Sequence, residues 1–231
     1  MFTEEIVVSD SIPYRSFGAS TLEVPRSKSG GRVVRNRDHQ TIYSNLADGV
    51  SIERFYGSDD SSFEHIQQIR SQRGGHQLYF DFDAYSFHYC LSVDRERIGT
   101  LTATMADEGQ LDCQDYYPPK LIQEYADIIF SPCKFAIQRS RYSSMRLMRL
   151  MVRETWRDLL SQGCRLSLMN ARREMVPFYR RMGFHIIAGS DFVHPTCGTD
   201  SQVMYMTADP QQRSYFADLF EFIDDAPTIE V

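Results

Sequence analysis

Apolar residues are distributed unevenly along the chain, and this distribution divides it into three parts. Residues 1–50 show little periodic apolar pattern and include the basic, glycine-rich segment 26–39, which predicts an N-terminal arm that is partly irregular. A regular pattern starts near residue 51 and continues to residue 209, so we predict one domain at 51–209. Residues 210–231 predict a C-terminal helix followed by an acidic tail.

The first half of the domain predicts a helix followed by an antiparallel sheet. Phe63, Ile66 and Ile69 fall on one face of a helix at about 61–72, because they recur at helical spacing. Alternating and β-branched or aromatic runs then predict three strands separated by short polar turns, at 77–83, 86–93 and 97–106. Such closely spaced strands are typical of an antiparallel meander.

The second half predicts strands separated by helices. The predicted strands are 133–137, 165–170, 184–189 and 201–207, and the predicted helices are 120–129, 144–162 and 177–182. Antiparallel strands followed by alternating strands and helices indicate a mixed sheet in a single domain. The predicted fold class is therefore α/β or α+β.

Composition narrows the classes of protein. Of the 231 residues, 42% are hydrophobic, which excludes a wholly disordered chain, and no apolar run approaches the roughly 20 residues that span a bilayer. The N-terminus lacks a basic segment followed by an apolar one, and the five cysteines form no CxxC pair, so we expect a cytoplasmic protein with idle thiols. A net charge of −6 argues against general nucleic-acid binding.

The strand, loop and helix at 134–163 form a candidate anion site. A helix N-terminus offers free N–H groups and a favourable dipole, and Ser143 or Ser144 can cap this one. Arg139 and Arg141 in the loop can pair with phosphate oxygens. The alternative is an ordinary capped helix with solvated arginines.

Four arginines share one face of the predicted long helix, at positions 146, 149, 153 and 157. On an acidic protein this stripe suggests an anionic partner, for which acyl carrier protein is one candidate. The alternative is a solvated helix face, balanced by Glu154 and Asp158.

Two further groups can take part in acid–base chemistry. Tyr179 lies on a short helix that starts near Pro177, and its hydroxyl can protonate a leaving thiolate, although a buried structural tyrosine is the alternative. Asp81 and Asp83 are predicted on one side of a strand, where paired carboxylates can hold an amine or remain a solvated edge. His88 shares no metal-ligand spacing with other histidines, so we assign no metal.

Taken together, these segments resemble the second half of the GNAT acyltransferases. Within that fold the chain is similar to the bacterial N-acyl amino acid synthases, including long-chain N-acyltyrosine synthases, and to the related acyl-homoserine-lactone autoinducer synthases. The matching motifs lie within about residues 60–207: Arg70, Asp81/Asp83 with Ser86-Phe-His88, Ile98-Gly99-Thr100, Lys134-Phe135-Ala136-Ile137, Asn170, Val176-Pro-Phe-Tyr179, Gly183-Phe184 and His194-Pro195…Gly198.

The resemblance implies a twisted mixed sheet whose strands at 133–137 and 165–170 splay apart to admit an acyl-pantetheine arm. It implies transfer of a long-chain acyl group from acyl-[acyl carrier protein] to the amine of an amino acid, with no permanently bound cofactor. Tyr179 would be the general acid, and Asp81 or Asp83 would orient or deprotonate the acceptor. The implied donor-binding residues are Lys134, Phe135, Ala136, Ile137, Arg139, Arg141, Ser143, Ser144, Arg146, Asn170 and Phe178, and the implied acceptor-binding residues are Arg70 and His88.

The chain also departs from the family pattern. Ser131 stands where the family usually has a glutamate, Thr102-Ala103 replaces an expected arginine, and the phosphate loop contains no glycine. Two alternatives therefore remain beside the synthase. One is an N-acetyltransferase that uses coenzyme A, and the other is a non-catalytic module of GNAT fold that binds a lipid or a protein partner.

Overall fold

The computed structural model describes residues 34–72, 78–211, 214–221 and 223. The strands are β1 (Gln40–Asn45), β2 (Val50–Tyr56), β3 (Ser86–Val93), β4 (Glu96–Met105), β5 (Ile129–Ile137), β6 (Leu166–Arg172), β7 (His185–Val193) and β8 (Asp200–Thr207). The helices are α1 (Phe63–Gln72), α2 (Pro119–Tyr125), α3 (Ser144–Ser161), α4 (Val176–Met182) and α5 (Ala217–Phe220). Short 3-10 helices occupy Asp81–Tyr85, Gln114–Tyr116 and Arg173–Met175.

One sheet contains all eight strands, in the order β1-β2-β3-β4-β5-β6-β8-β7. Neighbouring strands are antiparallel except for β5 and β6, which are parallel. The parallel pair is joined by α3, as a crossover between parallel strands requires. The prediction of a mixed α/β sheet flanked by helices is confirmed.

The sheet separates two apolar clusters. On one face the buried side of α3 packs on the strands, with Trp156 in edge contact with Phe130 of β5 and Phe220 of α5. On the other face α2 covers β5, β6 and β8, and the buried residues there include Leu121 and Leu168. Side chains that alternate along a strand therefore belong to different clusters, and this assigns every β5 and β6 residue to one face.

The predicted strand at 77–83 is wrong where the structure describes it. Residues 81–85 form a 3-10 helix, and residue 77 lies outside the described part. The turn is held because the Asp83 carboxylate accepts the N–H of Phe80 at 2.8 Å, while the rings of Phe80 and Phe82 stack on one another. This local side-chain bond competes with the extended conformation that the alternating residues favour.

The sheet starts inside the segment that we predicted as an arm. β1 pairs with β2, and Arg35 is buried in contact with Asp107 at 2.8 Å and the Asp127 carbonyl at 2.9 Å. At the other end, α5 is shorter than the predicted C-terminal helix, and the acidic tail from residue 224 lies outside the described residues. No helix in the described part is long and apolar enough to cross a membrane.

Candidate active site

The site is built around the point where β5 and β6 separate. These strands pair only at Ile129 with Leu166 and at Phe130 with Ser167. Beyond that point β5 stays paired with β4, and β6 stays paired with β8, so the two strands diverge. The predicted splay between 133–137 and 165–170 is confirmed. It leaves backbone N–H and C=O groups of both strands without a strand partner, and these groups can bind an amide-containing chain.

A β-bulge lies in β5 beside the splay. Thr100 pairs with Ala136 and Thr102 pairs with Cys133, so β5 carries one extra residue over this stretch. Lys134 in the bulge has a φ of +50°, which is uncommon for a residue other than glycine. Bulges redirect backbone groups and occur next to active sites. Of the side chains predicted to touch the donor, Ile137 instead lies in the apolar core.

The N-terminus of α3 retains free backbone donors. Its first helical hydrogen bond runs from the N–H of Leu147 to Ser143, and the side chain of Ser143 makes no cap bond. The preceding N–H groups, including that of Ser144, therefore remain available to an anion. The predicted serine cap is absent here. Arg139 is exposed and forms no hydrogen bond or ion pair with the described residues, so the loop does offer a cation beside these donors.

The arginine stripe of α3 is engaged with other parts of the protein. Arg146 donates to Asp48 at 2.9 Å, Arg153 pairs with Asp218, and Arg157 pairs with the buried Glu154. Arg149 lies over the ring of Tyr215. Of the two expected balancing residues, Glu154 does pair with the stripe, whereas Asp158 binds the buried Arg54 on β2 at 2.9 Å. In the same way Arg141 donates to Asp94 and to the carbonyl of Asp48.

Tyr179 lies on α4, which follows β6 after the 3-10 helix Arg173–Met175. Its ring packs edge-on against Phe178 and Phe184, and its hydroxyl makes no hydrogen bond with the part of the chain that is described. Burial raises the pKa of Tyr179 to about 12, so the phenol keeps its proton at neutral pH. Gly183 ends α4 with a φ of +108°, and a Cβ there would lie 2.4 Å from the Cβ of Ser214. The helix is therefore held closely in place.

The two aspartates predicted as a pair both lie in the 3-10 helix Asp81–Tyr85, and they differ in burial. Asp81 is exposed, whereas Asp83 is fully buried and accepts two hydrogen bonds from Arg70, at 2.7 and 2.9 Å. Arg70 also donates to Thr102 at 2.9 Å. Since the carboxylate of Asp83 is already saturated with donors, its contacts are those of a structural ion pair between α1 and the sheet. The expectation that both carboxylates share one face is wrong.

His88 completes this buried network. The carbonyl of Asp83 can only accept, so the neutral His88 ring keeps its proton on Nε2, and its Nδ1 accepts from the Thr102 hydroxyl, 3.1 Å away. The Nε2–H group donates to that carbonyl at 3.0 Å. Burial lowers the pKa of His88 to about 4, which keeps the ring neutral. Arg70 and His88, which were predicted to bind the acceptor, thus share Asp83 and Thr102 as hydrogen-bond partners inside the fold.

A second polar group lies across the splay. Its member Asn170 was predicted to bind the donor, and Ser131 was noted as a departure from the family pattern, but Tyr117 was not identified from the sequence. The hydroxyl of Tyr117 is 3.2 Å from Ser131 Oγ on β5 and accepts from Asn170 Nδ2 on β6 at 3.5 Å. Tyr117 is 2% exposed and Ser131 is fully buried. The available signal was the position of Ser131, where the family usually has an acid. Sequence spacing did not connect Tyr117 to it, because the contact bridges a loop and two strands.

A third group closes the same end of the sheet. Lys134 donates to Asp112 at 3.0 Å, and His194 Nε2 lies 3.4 Å from Cys113 Sγ. The N–H of Thr196 points at His194 Nδ1, so the ring proton resides on Nε2 and is directed at the sulfur. Asp112, Cys113 and His194 present ligand atoms within 4.8 Å of one another. Their arrangement is accounted for by hydrogen bonds, because a metal at Nε2 would require a proton on Nδ1.

A polar cavity of about 600 Å³ lies elsewhere, beside the C-terminal end of α1. Its lining includes Glu53, His65 and Arg97, and neither Tyr179 nor Tyr117 contributes to it. The candidate chemistry is therefore at the splay and not in this cavity.

Comparison with known proteins agrees with this geometry. Residues 54–209 match the family of the N-acyl amino acid synthase FeeM. The structure of FeeM from uncultured soil microbes is 13% identical, covers 63% of this chain and 88% of its own, and superposes with a TM-score of 0.52. The acyl-homoserine-lactone synthase LasI is 15% identical, covers 68% of this chain and 88% of its own, and has a TM-score of 0.52. An uncharacterized Bacillus halodurans protein is 8% identical, covers 80% of this chain and 95% of its own, and has a TM-score of 0.50. No curated protein matches the sequence significantly.

The splayed mixed sheet and the structural similarities define the class as proteins of the GNAT fold. Within that class, the chain belongs to the FeeM family of N-acyl amino acid synthases, whose pattern extends over more than half of its length. Acyl transfer is its activity.

Proposed function

We propose that this protein transfers a long-chain acyl group from acyl-[acyl carrier protein] to the amine of an amino acid. The observation on which the proposal rests is the splay between β5 and β6, with the bulge at Lys134 on one wall and Tyr179 on α4 after the other. The pantetheine arm enters between the strands and bonds to their free backbone groups. The amine attacks the thioester carbonyl as the free base, a backbone N–H binds the oxyanion, and collapse of the tetrahedral intermediate breaks the C–S bond. The thiolate takes a proton from Tyr179, and the proton that the amine nitrogen loses passes to solvent, from which the phenol is reprotonated.

Tyr179 is the proposed acid for the leaving thiolate. Its phenol is protonated at neutral pH and has no internal hydrogen bond to break before it can donate. The proposed contacts of Phe178 with the donor follow from its place beside Tyr179 on α4. Direct attack by the amine needs no covalent intermediate with the enzyme, and burial raises the pKa of Cys113, a thiol at this end of the sheet, to about 12, which keeps that thiol protonated.

A carboxylate-bearing acceptor is supported by the charges at the opening. Lys134 lies in the β5 bulge and Arg172 ends β6, so each diverging strand carries one cation. Lys134 is already paired with Asp112 at 3.0 Å, whereas Arg172 is exposed and lies 4.0 Å from Glu174, so Arg172 is the cation at this opening that can take an anionic group of the small substrate. An amino acid supplies this group together with the amine.

The carrier protein is favoured over coenzyme A by the loop before α3. It contains no glycine to bring its backbone close to a diphosphate, yet it exposes Arg139 next to free N–H groups at the helix N-terminus. One phosphate of a carrier-bound pantetheine needs fewer donors than the diphosphate of coenzyme A. The exposed arginines at positions 141, 146 and 149 extend this basic surface towards an acidic partner.

The direct test is mass spectrometry of lipid extracts from bacteria that express the protein. We expect a new N-acyl amino acid, which reports the acyl chain and the acceptor together, and we expect its loss in cells that express Tyr179→Phe. Acetylated products alone would contradict the long-chain assignment and favour the acetyltransferase alternative. The absence of any new acylated product would favour the non-catalytic alternative.

Charge reversal on the basic surface should separate the two donors. We expect Arg146→Glu with Arg149→Glu to raise KM for acyl-[acyl carrier protein] by about 10-fold or more, because rim charges act mainly on association. KM for a short acyl-pantetheine should change little, and activity with the carrier protein should fall as salt is added. The control is Arg157→Gln, about three turns further along α3, which removes a stripe charge but can still donate a hydrogen bond to the buried Glu154. Equal effects on both donors would exclude carrier-protein docking at this surface.

A further inference from the structure

Three polar side chains meet where the sheet opens, on the face opposite to Tyr179. Ser131 and Asn170 lie on the α2 face of β5 and β6, since Ile129 and Leu168, which alternate with the same period, belong to the apolar cluster beneath α2. Tyr117 belongs to that cluster as well and bridges the two polar residues. Tyr179 packs against the cluster beneath α3 instead. The polar group and the proposed acid therefore lie on opposite sides of the splay.

The hydrogen bonds of this group leave acceptor atoms open. The hydroxyls of Tyr117 and Ser131 form one hydrogen bond with each other. A hydroxyl oxygen has two lone pairs, so Ser131 Oγ keeps at least one unused lone pair in that bond, whichever hydroxyl donates. Asn170 directs Nδ2 at Tyr117, which leaves its Oδ1 without a hydrogen-bond partner among the described residues. Asn170 is also only half-buried, so the group can be reached from the opening. Burying such atoms without a partner is costly, which favours a ligand that supplies N–H donors.

From these observations we infer that Ser131, Tyr117 and Asn170 form the subsite that binds and orients the amine of the acceptor. This rests on the proposed function. Two N–H bonds of a neutral amine donate to Ser131 Oγ and Asn170 Oδ1, and its lone pair is then directed towards a thioester carbonyl held between β5 and β6. Tyr117 holds Ser131 and Asn170 at the right separation. Attack from this face leaves the sulfur to depart towards Tyr179.

The subsite binds the amine but is not assigned a proton-transfer step. Burial raises the pKa of Tyr117 well above its ordinary value, because Tyr117 is enclosed by apolar residues, so it stays a neutral phenol at working pH. Ser131 is likewise neutral. The serine at the position of the family's usual glutamate thus changes the local chemistry from a carboxylate to a hydroxyl, which accepts N–H bonds without a charge.

The test compares KM values for the two substrates in purified enzyme. The acceptor is whichever of the twenty common amino acids gives product with hexadecanoyl-[acyl carrier protein]. Ser131→Ala and Asn170→Ser should each raise KM for that amino acid roughly 3- to 10-fold, the effect of one lost hydrogen bond, with KM for the donor unchanged. Tyr117→Phe should have a similar effect, and Ser131→Thr, which keeps the hydroxyl, should recover most of the wild-type KM.

Tyr89→Phe is the matched control. Tyr89 is another fully buried tyrosine, and its hydroxyl donates to Asp158 at 2.8 Å on the opposite face of the sheet. The Tyr89→Phe substitution should lower the melting temperature without changing KM for the donor or for the acceptor. Unchanged acceptor KM in folded Ser131→Ala and Asn170→Ser would overturn the inference, as would an equal rise in both KM values. If none of the amino acids is acylated by the wild-type enzyme, the proposed function itself fails.

Discussion

Replacement of Tyr179 by phenylalanine is expected to lower kcat by about 10²- to 10⁴-fold, the usual contribution of a general acid. The melting temperature should stay close to that of the wild type. Phe178 and Phe184 contact the ring, which the substitution keeps, and the hydroxyl has no hydrogen bond to lose in the described structure. The measurement is steady-state kinetics with acyl-[acyl carrier protein], paired with a thermal melt.

The dependence on the leaving group distinguishes acid catalysis from a loss of binding. With a more acidic leaving thiol the defect of Tyr179→Phe should shrink, because a better leaving group needs less protonation. Tyr205→Phe is a matched control, since burial also raises the pKa of this partly buried phenol, yet it packs with the cluster under α2. A variant that melts early and keeps its rate per folded molecule would make Tyr179 a structural residue.

Replacement of Asp83 by alanine is expected to lower the free energy of unfolding by about 3–5 kcal/mol, the usual cost of removing one partner of a buried ion pair. Arg70 is 6% exposed, and both of its terminal nitrogens donate to the Asp83 carboxylate. The substitution would leave this guanidinium buried with only the Leu78 carbonyl and the Thr102 hydroxyl as acceptors. Urea unfolding of the purified variant measures the effect.

Asp81→Ala is the control for that substitution, since Asp81 begins the same 3-10 helix but is exposed. Its effect on stability should be within about 0.5 kcal/mol. A stable Asp83→Ala variant that loses activity with a raised KM for the acceptor would contradict the structural assignment. It would restore the hypothesis that Asp83 binds or deprotonates the amine.

The parts of the fold that could be predicted are those in which local preference and burial agree. Phe63, Ile66 and Ile69 are all buried on α1, and the strand predicted at 86–93 is β3 with the same bounds. Prediction failed at 77–83, where an alternating pattern suggested a strand. There the bond from Asp83 to the Phe80 N–H, together with the ion pair to Arg70, makes a turn more stable than extension. The spacing of apolar residues predicts neither contact, because one is a local side-chain bond to the backbone and the other joins Asp83 to Arg70 on α1.

Sequence alone determined the order of the elements from β3 to β8, the mixed sheet, and the place of Tyr179 before Gly183, because these depend on contacts within short windows of the chain. The strands β1 and β2 were not predicted. The tertiary structure decided which polar residues meet. It placed Asp83 in a buried pair, and it brought Tyr117, Ser131 and Asn170 together across a gap between two strands. Such contacts join residues that are far apart in the chain, and their geometry follows from strand register and divergence. Only the folded sheet specifies that register, since a shift of one residue would turn Ser131 and Asn170 to the opposite face.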